Sequence, residues 1–349
     1  MKRIRVLIVD DSATIRRLLS EILSRDPQIE IVGEAPEPAV AREMIKLLNP
    51  DVVTLDIEMP NMNGLEFLER IMRLRPMPVV MISTLTERGA EATLDALALG
   101  AVDYFAKPTK NVAAIMNDAA RELIAKVKTA ASARVRPLAP RTRPAATQDP
   151  SAPFQKKLIA IGSSTGGVEA LLEVLSHFPA DCPPTVVTQH MPAGFTASFA
   201  KRLDKVCAPT IAEAGDATVL QPGHVYIAPG AVAHLEVSGR GAWRSALVNG
   251  DPASGHKPSV DRLFRSVAKS AGANAIGVIL TGMGRDGAAG LADIRAAGAI
   301  TIGQDEATSI VYGMPRVAFE IGAVCEQLPL EKIGSEIIRL CRQPAMERT

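Results

Sequence analysis

The chain has 349 residues, which at roughly 150 residues per domain is two domains with a connecting segment. Its 39 Lys plus Arg against 38 Asp plus Glu leave a net charge of +1, without the overall positive field that a nucleic-acid binder carries. The hydrophobic content of 47% with only 3% aromatics describes cores of Ala, Val, Ile and Leu, the composition of α/β layers. Cys182, Cys207, Cys325 and Cys341 form no CxxC pair and have no His at metal-ligand spacing, so they read as ordinary thiols rather than a zinc site or a disulfide framework. No stretch of about 18 apolar residues occurs, so a soluble, cytoplasmic protein without membrane insertion is expected.

Before residue 125, short apolar runs alternate with helical patterns. Residues 4–9 read as a buried strand, and Ser12 is placed to cap a helix carrying Ile15, Leu18, Leu19, Ile22 and Leu23, apolar positions three and four apart. Further strands are predicted at Ile29–Val32, Val52–Leu55, Val79–Ile82 and Val102–Phe105, with helices near 37–48, 64–74, 87–99 and 111–129. Such alternation, with strands apolar on both faces, predicts a parallel sheet covered on both sides.

The stretch 126–155 reads as a linker. Between Ala131 and Pro153 it loses apolar periodicity and collects Pro137, Pro140, Pro144 and Pro150 with Arg134, Arg136, Arg141 and Arg143, too little apolar surface to offset ordering. Charge divides accordingly. Residues 1–125 carry 15 basic and 19 acidic side chains, 126–157 carry 8 and 1, and the remainder 16 and 18, giving −4, +7 and −2.

From 156 to 349 the alternation resumes. Strands are predicted at Leu158–Ile161, Thr185–Thr188, 224–228, 232–237 and 276–280, and helices to about Ser176, near 194–206 and near 331–342. A second doubly wound α/β domain is expected, with an antiparallel hairpin across 224–249.

Ligands of open parallel sheets collect beyond the carboxyl ends of the strands. In the first domain those ends carry Asp10 and Asp11, then Asp56, then Ser83 and Thr84, then Lys107 before Pro108. One such acid alone is more often a helix cap. Three close carboxylates repel one another and call for a cation, and oxygen-only donors suit Mg²⁺. This set resembles the receiver domain of two-component response regulators, with a flavodoxin-like fold. The resemblance implies that Asp56 accepts a phosphoryl group, that Asp10, Asp11 and Asp56 hold Mg²⁺, and that Ser83 is the switch hydroxyl. It further implies that Lys107 contacts the phosphate, that Tyr104 is the aromatic that reorients, and that a histidine kinase is the phosphodonor.

In the second domain a predicted strand enters Gly162-Ser163-Ser164-Thr165-Gly166-Gly167. This fits a G-x-S-x-G turn that raises the Ser164 hydroxyl, although such loops more often cradle phosphate or simply turn. A serine nucleophile needs a base. His177 reads as structural at a helix end, His224 and His234 lie in or beside the predicted hairpin, and His256 is the runner-up, in a loop of unassigned position. His190 follows the strand Thr185–Gln189 and reaches the same edge as Ser164, which makes it the best base. Asp286, in Thr281-Gly282-Met283-Gly284-Arg285-Asp286-Gly287, is the candidate orienting carboxylate; a surface pair with Arg285 is the alternative. The order Ser, His, Asp differs from that of α/β hydrolases.

The segments IGSSTGG, TQHMPAGFT, GHKPSVDRLF and LTGMGRDG behind a receiver and a Pro/Arg linker resemble the chemotaxis protein-glutamate methylesterases, the CheB family of response regulators. The resemblance implies a phosphorylation-activated esterase that releases methanol from glutamate methyl esters of chemotaxis receptors and also deamidates receptor glutamines, giving sensory adaptation. It implies Ser164, His190 and Asp286 as catalytic residues, the Met283 backbone N–H as oxyanion donor with Thr165 in support, and no cofactor for hydrolysis. It implies a CheA-type kinase as phosphodonor, a monomer, and an unphosphorylated receiver that blocks the catalytic edge. Ser163 departs from the family, which commonly has Ala there, and adds a second candidate hydroxyl. A catalytically dead scaffold would lack a member of the set, and a DNA-binding regulator would need a basic recognition helix; neither feature is seen.

Overall fold

The computed structural model describes residues 3–59, 62–84, 86–107, 112–135 and 153–343, in two compact units divided between residues 140 and 141. Residues 136–152 of the expected linker lie outside the described residues, as does Pro108.

The first unit alternates strand and helix: β1 (Ile4–Val9), α1 (Ala13–Leu23), β2 (Ile29–Ala35), α2 (Pro38–Leu48), β3 (Val52–Asp56), α3 (Gly64–Leu74), β4 (Val79–Ser83), α4 (Glu87–Ala98), β5 (Asp103–Ala106) and α5 (Val112–Ala131). The sheet order is β2-β1-β3-β4-β5 and every pairing is parallel. Every residue of β3 and β4 is buried, which is why these strands read as continuous apolar runs. The expected cap is present: the Ser12 hydroxyl accepts a 3.4 Å hydrogen bond from the Ile15 amide, and α1 buries Leu19, Ile22 and Leu23. Strand order reverses between β1 and β3, so the carboxyl ends of those two strands flank the ligand crevice of the sheet. Helix α5 continues to Ala131, so the boundary expected at 125/126 falls inside a helix. Lys126 packs there onto the receiver fold, 3.1 Å from Asp103.

The second unit contains β6 (Leu158–Ser163), α6 (Gly167–Leu175), β7 (Thr185–Gln189), α7 (Phe195–Asp204), β8 (Thr210–Glu213), β9 (His224–Ile227), β10 (His234–Ser238), β11 (Arg244–Val248), α8 (Val260–Ala271), β12 (Ala275–Ile279), α9 (Ala288–Ala296), β13 (Ile300–Gln304), α10 (Met314–Glu320), β14 (Glu326–Leu328) and α11 (Leu330–Arg342). Its main sheet has the order β14-β13-β12-β6-β7-β9-β8 and is parallel throughout. The sheet begins at its centre with β6, builds outward on one side, then returns to build the other from β12. The crevice beyond β6 and β12 is therefore its switch point.

The hairpin expected across 224–249 is only partly present. β10 and β11 form a separate antiparallel ribbon, whereas β9 pairs in parallel with β7. Val225, Tyr226 and Ile227 are all buried, which suits the middle of a two-faced sheet. In β10 the buried Leu235 and Val237 alternate with Glu236 and Ser238, the period-two pattern of a ribbon with one face covered.

Candidate active site

Three neighbouring strands, β12, β6 and β7, bring the predicted chemistry to one sheet edge. Ser163 and Gln189 are register partners on β6 and β7, so Ser164 and His190 are each one step beyond the end of a paired strand. The Ser164 amide donates to the Thr281 carbonyl at 3.0 Å, which ties the serine to the loop that follows β12. Two glycines make the turn possible. A Cβ on Gly162 would come within 2.2 Å of Val260 Cγ1, so α8 could not lie against β6 with any larger residue there. Gly166 has φ +78°, a conformation costly for residues with a Cβ. Ser164 itself is not among the described non-glycine residues with positive φ.

Ser163 and Ser164 differ in environment. The Ser163 side chain is fully buried and its hydroxyl donates to Gln189 Oε1 at 2.6 Å. The Gln189 amide nitrogen in turn donates to the carbonyls of Ser164 (2.9 Å) and His190 (3.2 Å). The second hydroxyl noted in the sequence is thus bound into the wall, and Ser164 is half-buried at the edge.

Asp286 is almost wholly buried and is gripped by the start of α8. Its Oδ1 accepts from the Ser259 hydroxyl (2.9 Å) and the Asp261 amide (3.1 Å), and its Oδ2 from the Val260 amide (2.8 Å) and His190 Nε2 (2.9 Å). Burial alone would raise this carboxyl, but the His190 bond and the two amides outweigh it and hold the pKa below the ordinary value. An ionised carboxylate only accepts, so the proton of the neutral imidazole is on Nε2. His190 Nδ1 is buried and has no hydrogen-bond partner. In the familiar serine triad Nδ1 faces the carboxylate and Nε2 takes the serine proton; here Nε2 faces the carboxylate.

His256 stacks on His190, ring centroids 3.8 Å apart and planes 7° from parallel. Burial first, then the neighbouring His190 charge, push His256 down to about 4, with Asp286 pulling the other way. The remaining histidines are structural. His177 Nδ1 contacts the Glu173 carbonyl, and His224 Nδ1 contacts that of Pro222. The fully buried His234 accepts the Ser259 amide on Nδ1 and donates from Nε2 to the Asp251 carbonyl, which steadies the cap residue of α8. Met283 is exposed at 41%, in a loop whose Gly282 amide donates to Val311 and whose Gly282 carbonyl accepts from Met314. The Thr165 carbonyl accepts the Thr281 hydroxyl at 3.0 Å, binding the serine turn to the same loop. Arg285 is exposed, and the surface pair weighed for Asp286 is not formed.

In the first unit the expected acids also converge. Ligand oxygens of Asp10, Asp11 and Asp56 lie within 4.8 Å of one another, and Lys107 Nζ is 3.0 Å from Asp10 Oδ2 and 2.8 Å from Asp56 Oδ2. Burial, opposed by the Lys107 hydrogen bond and reinforced by the Asp10 charge, pushes Asp56 up to about 6. One ammonium does not neutralise the cluster, and a hard, oxygen-only donor set with Asp11 exposed to solvent fits a divalent cation such as Mg²⁺. The Ser83 hydroxyl is turned to α4, where it accepts from Thr93 Oγ1 at 2.7 Å and lies 3.2 Å from the Gly89 carbonyl. Tyr104 is buried, with Lys126 Nζ 4.7 Å from its ring centroid.

Two family models match the chain, one in each unit. The family model "CheB methylesterase" matches residues 159–337, about half of the chain, and the response regulator receiver domain matches residues 6–117. The chain belongs to the CheB methylesterase family. Among its relatives, a protein-glutamate methylesterase/protein-glutamine glutaminase of Caulobacter vibrioides is 61% identical over 347 residues, covering 97% of this chain and 98% of the relative. One of the same name from Agrobacterium fabrum is 58% identical, covering 96% of each. The crystal structure of the Thermotoga maritima CheB methylesterase catalytic domain covers 53% of this chain and 99% of that structure, with TM-score 0.52 and 38% identity.

For this CheB-family chain, sequence reasoning missed the α8 clamp and the stacked pair. The GHKPSVDRLF segment carries both: His256 supplies the stacked ring, and Ser259, Val260 and Asp261 supply the donors to Asp286. Among the described residues no helix is long and apolar enough to cross a membrane.

Proposed function

We propose that the chain is a phosphorylation-activated protein-glutamate methylesterase acting on glutamyl methyl esters of chemotaxis receptors in the cytoplasm, with Ser164 as nucleophile, His190 as base and Asp286 as the carboxylate that orients it. The observation that carries this reading is the buried, unpartnered Nδ1 of a histidine whose other nitrogen is bound to a buried carboxylate. A lone pair held out of water at the sheet edge that also carries Ser164 can take a proton. Nδ1 accepts the Ser164 proton as Oγ attacks the ester carbonyl, and the charge gathering on His190 is balanced by Asp286. The imidazolium then protonates the departing methoxide, methanol leaves, and an acyl-serine remains. Water, deprotonated by the same Nδ1, attacks the acyl carbon; the carboxylic acid is released and Ser164 regains its proton. A glutamine side chain follows the same course with ammonia as the leaving group. The Met283 backbone N–H is the proposed oxyanion donor, with Thr165 helping to place His190; loss of one such donor costs about 10²- to 10³-fold in rate.

In the receiver, Asp56 is the proposed phosphoryl acceptor and Asp10, Asp11 and Asp56 the Mg²⁺ ligands; the ion, when bound, supplies positive charge that offsets the crowded carboxylates. Lys107 pairs with the new phosphate, and Ser83 leaves Thr93 to donate to it while Tyr104 reorients. The phosphodonor is a histidine kinase of the CheA type, and the enzyme works as a monomer. The proposed division is a receiver that runs through α5 to Ala131, a linker from there to residue 155 and a catalytic domain over 156–349. Methanol release from methylated receptor membranes, with and without Mg²⁺ and a small phosphodonor, tests the reading. Release that rises on phosphorylation supports it, and no release under either condition refutes it.

A further inference from the structure

His256 is a titratable side chain inside the catalytic cluster that the proposed mechanism does not use. Its backbone is fixed by reciprocal bonds with Ala253, N–H to carbonyl in both directions at 3.0 and 2.9 Å. The ring is half-buried and lies flat against His190 at 3.8 Å. Neither of its ring nitrogens is engaged in a described hydrogen bond, so stacking is the contact that holds it. The charged groups facing it are His190 from the end of β7 and Asp286 from the loop after β12, with Lys257 adjacent on its own loop.

We infer that His256 is a positioning residue for the esterase reaction, whose neutral ring sets the plane of the His190 imidazole and lies against its face when that ring becomes cationic. The geometry gives two reasons. The single 2.9 Å bond to Asp286 fixes one atom of the imidazole but leaves rotation about the line from Cβ through that bond. A parallel ring on the face removes that freedom and fixes the direction of Nδ1. An aromatic face also attracts a cation, and His190 is cationic only after it has taken the serine proton. The contact is therefore stronger in the transition state than in the resting enzyme, which is the condition for raising kcat rather than lowering KM. The second role requires His256 itself to stay uncharged, and its burial beside His190 provides for this.

The inference rests on His190 being the base, and the experiment separates the two. Full-length wild-type, His190→Ala, His256→Ala, His256→Gln and His256→Phe enzymes are compared for kcat and KM in methanol release from methylated receptor membranes under phosphodonor. Each is also examined by proton NMR for the downfield resonance of the His190 Nε2 proton shared with Asp286. Full activity in His190→Ala refutes the base assignment itself. With His190→Ala inactive, the expected result is a kcat about tenfold lower in His256→Ala and His256→Gln, KM within twofold, and a downfield resonance broadened by exchange. His256→Phe, which keeps a flat neutral ring, retains kcat within threefold of wild type and a sharp resonance. If the Ala variant does not fold, the Gln variant, close in size, carries the comparison. A kcat within twofold of wild type in the Gln variant, or a Phe variant as impaired as the Gln variant, overturns the inference.

Discussion

Replacing Asp286 by Asn separates two functions of the carboxylate, because its four donors are unequal. With the amide oxygen in the Oδ2 position, the Val260 amide and His190 Nε2 keep their acceptor. The new NH₂ then faces the Ser259 hydroxyl, which can rotate to accept, and the Asp261 amide, which cannot. In the opposite orientation the Val260 amide is orphaned and His190 must also exchange its proton between nitrogens. Both orientations orphan one backbone N–H, and only the first preserves the tautomer, so the first prevails. The folded state loses about 1–3 kcal/mol for the unsatisfied amide. Catalysis loses the negative charge that balances the His190 cation, worth about 4 kcal/mol at 4 Å and an effective dielectric near 20, or roughly 10³-fold in kcat. This is less than the roughly 10⁴-fold loss in a triad where the same change also imposes the wrong tautomer. Urea unfolding, methanol-release kinetics and nitrogen NMR of His190 give the three readouts. A variant with Nδ1 protonated at neutral pH, or with unchanged stability, would refute this account of the clamp.

Other expectations follow from the same geometry. Asp56→Asn should abolish the rise in methanol release on adding phosphodonor, and a variant stimulated as strongly as wild type contradicts the phospho-acceptor assignment. His256 has a folded pKa of about 4 against about 6.5 unfolded, so the unfolded chain binds more protons between those values and stability falls as pH drops through that window. The expected loss is up to about 3 kcal/mol, so the urea midpoint of wild type should fall relative to that of His256→Phe as pH drops from 6.5 to 4; parallel curves would exclude it. Burial pushes the Cys182 and Cys341 thiols up to about 12 and the Cys207 thiol to about 11, whereas Cys325 is exposed. A disulfide reagent at pH 8 should therefore label Cys325 first and reach Cys182 and Cys341 only on unfolding; peptide mapping that finds Cys182 modified first is the contrary result.

Much of this is legible in the chain, and the exceptions have separate physical causes. Strand ends could be read because buried parallel strands are continuous apolar runs that stop at polar residues, and those residues include Asp10, Asp56, Ser164 and His190. Helix α8 was not assigned, although Val260, Leu263, Phe264 and Val267 carry helical spacing behind an available Ser259 cap. Its meaning for the site was hidden, because nothing local says that its first amides would meet Asp286, some 25 residues on. The same holds for His256, whose stack with His190 exists only once distant segments meet. β8 and β14 were missed because edge strands are short and partly exposed, so their pattern is weak. The charged surroundings of Lys126 read as linker, yet Asp103 and the Tyr104 carbonyl on β5 hold it against the receiver.

The strand order has a consequence for biosynthesis. β6 lies at the centre of the sheet, and its two neighbours are made far apart in time: β7 soon after it, and β12 only after the ribbon and α8. A nascent chain released as far as residue 250 carries Ser164 and His190 but neither the carboxylate nor the helix that grips it. Domains fold as units while synthesis proceeds, and here the unit closes by inserting β12 against an edge of β6 that has stood open. On the proposed assignment of Asp286, hydrolytic competence arrives with the last third of the polypeptide, and an unfinished chain has Ser164 but not the complete site.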